Sequence, residues 1–110
     1  MPRIYLSHVR EGLAELASEE LQRQLWLSPE HPSSFVEAVA RTYDDSGLGD
    51  VLDEPLAVEE IGPTAVGLLQ ELSRALASVY WTVDEAALIS SPEMLKIRPL
   101  AAAALNALPS

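Results

Sequence analysis

Apolar residues recur at three- and four-residue steps along most of this chain, and that spacing constrains the fold more than any other feature. The clearest stripe begins after Gly62-Pro63 and joins Ala65, Leu68, Leu69, Leu72, Ala75, Leu76 and Val79. A brief strand at residues 56–58 would have no second alternating run to pair with. The sequence therefore predicts an all-α fold, a small helical bundle or orthogonal array of five to six helices.

The first helical region has two start signals. Ser7 is placed to cap a helix, and the apolar stripe that follows continues through residues 8–26. Ser18 precedes two glutamates, and acids in a first turn suit the helix dipole. Residues 8–26 therefore form either one helix or two helices with a break at Ser18.

The middle of the chain contains a helix with clear ends. Ser34 and Glu37 have capping-box spacing at its start, and Gly47 fits the left-handed position after its last turn. Residues 49–61 are interrupted by proline and read as a loop or short turns. Gly67, inside the helix that follows, indicates close packing against a neighbouring element, since glycine otherwise weakens a helix.

Three further start signals lie in the C-terminal third, and one of them, Ser91-Pro92-Glu93, begins a short segment. Thr82 and Glu85 form a second capping box, and Pro99 fits the first turn of a last helix that ends near Leu108. That helix is apolar on nearly every side, so residues 99–108 either enter the core or meet a second copy in a homodimer. The length predicts a single domain over residues 1–110.

Charge is distributed unevenly along the chain. The net charge is −10, and residues 42–73 hold eight acids and no base. A negative field repels the phosphates of nucleic acids and anionic lipids, and it attracts basic protein surfaces. We therefore expect no nucleic-acid partner and no membrane partner, and the charge favours a basic protein.

Five acids are the candidate partner-binding residues: Asp44, Asp45, Asp50, Asp53 and Glu54. The first two fall in the last turn of a helix, where the dipole typically costs an acid about 0.3–1 kcal/mol. Residues that break a local rule tend to occur at functional sites. The alternative is that the segment is solvated and only keeps the protein soluble.

Motifs of metal or catalytic chemistry are missing from the sequence. A calcium loop starting at Asp44 would have Leu48 where an oxygen ligand is required and Pro55 where the bidentate glutamate belongs. His8 and His31 have no ligand at metal-binding spacing. We predict no metal, no cofactor and no catalytic residue, and we rank an enzyme as the third hypothesis.

Two tryptophans near predicted helix ends, Trp26 and Trp81, are candidate interface aromatics. Such residues are enriched at interface hot spots, although packing in the core is their commoner fate. The chain has no cysteine and no apolar run long enough for a membrane span, and from its first residues we expect no secretory leader. These features together favour a cytoplasmic location.

The segments from Glu15 to Trp26, from Ser34 to Leu48 and from Ser91 to Leu105 resemble a group of small acidic bacterial proteins. That group is helical by prediction and has no assigned function. In size and acidity alone, the chain is also similar to bacterial toxin-immunity proteins.

The sequence favours a protein–protein interaction module over an enzyme. Residues 44–60 would meet a basic partner, because opposite charges speed encounter and add specificity. An immunity or inhibitor protein is the most concrete form of this hypothesis. The alternative is a self-associating structural helical protein whose acids serve only for solvation.

Overall fold

Caps and prolines in the sequence determine where most helices begin. The computed structural model describes residues 4–30, 32–79 and 84–109. Helix accounts for 76% of the structure, and the described residues contain no strand, so the all-α prediction is confirmed. These ranges hold eight α-helices and not five or six, together with one π-helical segment. The elements are α1 (Leu6–Ala17), α2 (Glu19–Trp26), α3 (Phe35–Ala40), the π segment (Arg41–Asp45), α4 (Leu48–Val51), α5 (Pro55–Ile61), α6 (Pro63–Leu76), α7 (Glu85–Ile89) and α8 (Pro92–Ala107).

The N-terminal region forms two helices, which decides between the two alternatives for residues 8–26. Ser18 has an extended backbone, and its Oγ accepts a hydrogen bond from the Leu21 amide at 3.1 Å. This cap satisfies one of the free amides at the start of α2. The first helix begins at Leu6 without a side-chain cap, so Ser7 lies inside its first turn and not before it.

Proline begins three of the helices. Pro55, Pro63 and Pro92 each stand in the first turn of α5, α6 and α8. A first-turn amide has no helical acceptor, so a residue that lacks this amide fits there. The loop or short turns expected over residues 49–61 are therefore wrong for most of this segment, which folds as the short helices α4 and α5.

The helix start expected at Pro99 is also wrong. α8 is continuous from Pro92 to Ala107, and Pro99 lies inside it at an exposed position. A proline in a helix interior typically costs about 3 kcal/mol, because one hydrogen bond is lost and the ring crowds the preceding turn. Ile97 and Ala101, on either side of it, are fully buried. Burial on both sides of the proline offsets that cost.

The three longest helices, α1, α6 and α8, form the centre of the molecule, and α8 packs against both of the others. Their fully buried side chains are Val9, Leu13, Leu16, Ala65, Leu69, Leu72, Met94, Ile97, Ala101 and Ala104. α1 also packs against α3 and the π segment, and α2 packs against α7. The apolar C-terminal helix thus finds its main neighbours within its own chain.

Close helix packing occurs at Gly12, and the interpretation of Gly67 as a close-packing glycine is wrong. A Cβ at position 12 would lie 2.0 Å from Oγ1 of Thr42 and 2.8 Å from the carbonyl oxygen of Ala38. At position 67, nothing lies within 4 Å of such a Cβ. Gly12 is therefore what allows α1 to approach the junction of α3 and the π segment.

The two capping boxes have different outcomes. The Oγ of Ser34 accepts from the Glu37 amide at 3.1 Å, which confirms the start of α3. Thr82 lies outside the described residues, and Asp84 caps α7 through a bond from the Ala87 amide at 3.1 Å. Glu85 instead accepts from the amide of Phe35 at 2.8 Å, so it joins α7 to α3.

Candidate interaction surface

The acidic face, as we name the five candidate residues Asp44, Asp45, Asp50, Asp53 and Glu54, lies on the molecular surface. All five side chains are exposed. They are carried by the end of the π segment, by α4 and by the turn that leads into α5, and these elements pack in succession. The five acids are therefore exposed on one short, continuous segment of the chain.

Hydrogen bonds of Ser46 hold the turn that follows Asp44 and Asp45. Gly47 has a φ of 78°, the left-handed conformation that the sequence predicted for it. Ser46 Oγ donates to the carbonyl of Thr42 at 2.5 Å and accepts from the amide of Leu48 at 3.1 Å. The carbonyl of Ser46 accepts from the Tyr5 amide at 2.8 Å. These bonds keep the turn in one conformation and direct Leu48 into the core.

Hydrogen bonds join the segment that carries the acidic face to helix α6. The Tyr43 hydroxyl donates to the carbonyl of Leu69 at 2.8 Å, and burial raises the pKa of this phenol. The side-chain amide of Gln70 donates to Asp53 Oδ1 at 3.0 Å and to the carbonyl of Leu52 at 3.4 Å. The backbone that carries the acidic face is thus attached to α6, one of the three central helices.

The negative charge of the face is not neutralised from within the described chain. Asp44, Asp45, Asp50 and Glu54 form no ion pair with a base in those residues. The ion pairs formed there join Arg23 and Arg98 to Glu19, and Arg41 to Glu15. The face therefore keeps its field, which reaches roughly 8–10 Å into solution at physiological salt.

Sequence reasoning missed a buried carboxylate, Glu15 on α1, which is 3% exposed. Its Oε2 accepts from Trp26 Nε1 at 2.6 Å and from Ser33 Oγ at 2.7 Å. Its Oε1 lies 3.3 Å from a guanidinium nitrogen of Arg41. Glu15 thus joins α2, the connection before α3 and the π segment to α1. The only signal in the sequence is a glutamate on the otherwise apolar side of a helix.

A second buried polar group lies next to it. Gln22 is fully buried, and its Nε2 donates to the carbonyls of Glu15 and Leu16 at 3.0 and 2.8 Å. Its Oε1 accepts from Arg98 at 3.0 and 3.1 Å, and Arg98 also donates to the carbonyl of Ile89 at 2.5 Å. Within the described residues every buried side-chain nitrogen or oxygen has a partner. Both buried groups therefore serve to join helices of this chain.

The candidate interface aromatics and the candidate dimer helix lie elsewhere. Trp26 is 1% exposed and meets Phe35 edge-on at a ring separation of 5.8 Å, so it packs in the core and offers no surface to a partner. Trp81 lies outside the described residues. Within residues 99–108 the buried side chains are Ala101, Ala104 and Leu108, and they face the same chain.

Across residues 4–30, 32–79 and 84–109 there is no group of three or more His, Asp or Glu side chains placed to hold a metal ion. No helix in those ranges is both long and apolar enough to cross a bilayer. No family model, curated protein or solved structure matches this chain.

Proposed function

We propose that this chain is a protein–protein interaction module whose acidic face binds a basic surface on another protein. One observation carries the proposal: five exposed carboxylates lie within residues 44–54, and the surrounding residues 42–73 contain no base. Arginine or lysine side chains of a partner would supply the missing counter-charges. Opposite charge of this kind raises the rate of encounter and suppresses wrong partners.

The position of Asp44 and Asp45 supports binding over folding. Both stand in the last turn of the π segment, where the dipole of the helix disfavours negative charge. Neither is compensated by an ion pair within the described residues. Side chains that weaken the isolated fold, and are retained at the surface, are more simply explained by a partner than by stability.

The backbone of the acidic face is also fixed by hydrogen bonds in the absence of a partner. Ser46, Tyr43 and Gln70 attach its backbone to the core and to α6, so little conformational freedom is lost when a partner docks. Among the exposed large apolar side chains of the described residues, Val58 on α5 is the nearest in sequence. We therefore expect fast, salt-sensitive association in which charge supplies most of the specificity. An inhibitor or immunity protein is the most concrete version of this role.

A salt-graded capture experiment tests the proposal. The immobilised chain is incubated with source lysate and eluted in salt steps, in parallel with the variant Asp44→Lys with Asp45→Lys. The matched control is Glu20→Lys with Glu30→Lys, which makes the same change in net charge at exposed positions outside the face. We expect a basic protein to be retained by the native chain and by the control, and to be lost from the first variant.

Equal recovery by all three proteins would overturn the proposal and leave the acidic face as a device for solubility. Equal loss from both variants would also overturn it, because binding would then depend on total charge and not on this surface. Circular dichroism melts of the same samples establish that each variant is folded.

A further inference from the structure

Tyr5, the residue that precedes α1, carries an exposed aromatic ring. Its side chain is 59% exposed, whereas the other tyrosine, tryptophan and phenylalanine side chains that the structure describes, Tyr43, Trp26 and Phe35, are buried. Tyrosine is enriched at the hot spots of protein interfaces, because its ring is large and ends in a polar group. A single exposed ring is ordinary on a surface, so its significance depends on where it lies and on how it is held.

Hydrogen bonds fix the backbone on both sides of Tyr5. Its amide donates to the carbonyl of Ser46 at 2.8 Å, and its carbonyl accepts from the amide of His8 at 3.0 Å. The preceding residue, Ile4, is buried, and its amide donates to Glu60 Oε1 at 3.2 Å. The ring of Tyr5 is therefore exposed although the backbone that carries it is attached to the fold.

The bond to Ser46 places Tyr5 next to the acidic face. Gly12 on α1 packs against the junction of α3 and the π segment, and Tyr5, two helical turns earlier, is bonded to Ser46 immediately after that segment. The first turn of α1 therefore lies beside the end of the π segment. Ser46 follows Asp45 directly, and α4, which carries Asp50, packs against the π segment. Tyr5 thus stands at a border of the acidic face.

A contact with His8 positions the ring of Tyr5. The two ring centroids lie 6.0 Å apart at an interplanar angle of 83°, which is an edge-on pair. Such pairs are favourable because the positive edge of one ring meets the negative face of the other. His8 is half-buried and stands one helical turn before Gly12, on the same side of α1. The tyrosine ring therefore has a neighbour that restrains it before a partner binds, which reduces the entropy lost on binding.

An exposed tyrosine ring beside carboxylates favours a cation as its ligand. The face of the ring carries negative potential and attracts a guanidinium or ammonium group within about 6 Å of its centroid. The exposed acids nearby add a field of the same sign. Arginine suits this position better than lysine, because its planar guanidinium stacks on an aromatic ring and donates hydrogen bonds from its edge.

We propose that Tyr5 is an anchor residue of the interaction surface, and that an arginine side chain of the basic partner stacks on its ring. This inference rests on the proposed function and deepens it, because it specifies arginine in the partner and adds an aromatic contact to a surface of carboxylates. The acids raise the rate of encounter, and the ring selects which base docks beside them.

Isothermal titration calorimetry of the full chain with oligoarginine and oligolysine peptides of equal length measures the selection for arginine. The two peptides carry equal charge, so the ratio of their affinities removes the general attraction to acids. We expect Tyr5→Leu to weaken the binding of oligoarginine about two- to fivefold relative to that of oligolysine. Tyr5→Phe keeps an aromatic ring and should leave the ratio at its native value. Leu95→Ala removes an exposed apolar side chain on α8, and as the matched control it should change neither affinity.

Two charge variants separate this inference from the proposed function. Asp44→Asn with Asp45→Asn should weaken the binding of both peptides more than Glu20→Gln with Glu30→Gln, which makes the same change in net charge at exposed positions outside the acidic face.

Equal binding by the two charge variants would overturn the proposed function, and the role of Tyr5 with it. A loss confined to the first charge variant, together with an unchanged peptide ratio in Tyr5→Leu, would overturn the role of Tyr5 alone. Loss of the ratio in Tyr5→Phe would also overturn it, because the hydroxyl and not the ring would then select arginine. Circular dichroism is expected to show native helix content in every variant, since all the substituted side chains are exposed.

Discussion

The buried carboxylate of Glu15 and the exposed carboxylates of the acidic face have opposite environments. Glu15 is buried at the junction of α1 with α2, α3 and the π segment, where a tryptophan, a serine and an arginine bind it. The acidic face is exposed, and among the described residues Gln70 is the one hydrogen-bond partner of its carboxylates, through Asp53. Glu15 helps to fix how α1 packs against α2, α3 and the π segment. The acidic face lies at the surface, and the role that we propose for it is binding.

The difference shows that a count of acids does not reveal what each acid does. Desolvation makes the interactions of a buried carboxylate strong and its loss costly, whereas an exposed one is screened by water and salt. Substitutions in the two regions are therefore expected to differ in magnitude and in sign.

The largest effect is expected for Glu15→Ala. The change leaves the indole N–H of Trp26 and the hydroxyl of Ser33 buried without an acceptor, and Arg41 without its counter-charge. We expect the free energy of unfolding to fall by about 3 kcal/mol, measured by urea denaturation. Glu11→Ala, at an exposed position on the same helix, is the control and should change it by less than about 0.5 kcal/mol. Similar values for the two variants would contradict a structural role for Glu15.

The next effect is expected for Gly12→Ala, in the same junction. The new methyl group would overlap the side chain of Thr42 and the backbone at Ala38, so α1 must move away. We expect a loss of about 1–3 kcal/mol in the free energy of unfolding. Gly67→Ala is the matched control, because it adds the same group in open space on α6 and should stabilise the helix by about 0.5–1 kcal/mol. Equal signs for the two variants would show that α1 is not as close to the π segment as described.

A smaller effect is expected for Tyr43→Phe, which tests the attachment of the acidic face to α6. Loss of the hydroxyl bond to Leu69 should cost about 1 kcal/mol near neutral pH. The folded pKa of Tyr43 is raised by burial, so its contribution is complete below the unfolded pKa of about 10 and is lost as pH rises above that value. Denaturation measured between pH 7 and 11 should therefore show the native chain losing its advantage over the variant at the alkaline end. A constant difference across that range would contradict burial of the phenol.

The smallest effect, which is opposite in sign to that of Glu15→Ala, is expected for Asp44→Asn with Asp45→Asn. Neutralising these acids removes an unfavourable interaction with the helix dipole, so thermal stability should rise by a few tenths of a kcal/mol for each change. Glu20→Gln is the comparison, because Glu20 stands in the first turn of α2, where the dipole favours an acid. Its loss should lower the melting temperature slightly. A lower melting temperature for the double variant would show that the two aspartates stabilise the end of the π segment.

Features that depend on neighbouring residues were predictable from the sequence. The caps at Ser18 and Ser34, the left-handed turn at Gly47 and the all-α class follow from local hydrogen bonding and from apolar periodicity. Exposure of the acids at positions 44, 45, 50, 53 and 54 follows in the same way, since carboxylates without a counter-charge avoid the interior. These outcomes are decided within a few residues of chain.

Tertiary structure decided the features whose energy comes from distant contacts. Pro99 lies within α8 because burial against α1 and α6 on both sides outweighs a lost hydrogen bond, and α5 forms because Ala57 and Ile61 find an apolar surface. The burial of Glu15 requires Arg41, which lies 26 residues away, as its partner. Local patterns carry no information on which distant side chains will meet, so local sequence alone determined helix starts such as those of α2, α3 and α6. The packing of the helices determined the extent of α5 and α8, and it determined which polar groups became part of the core.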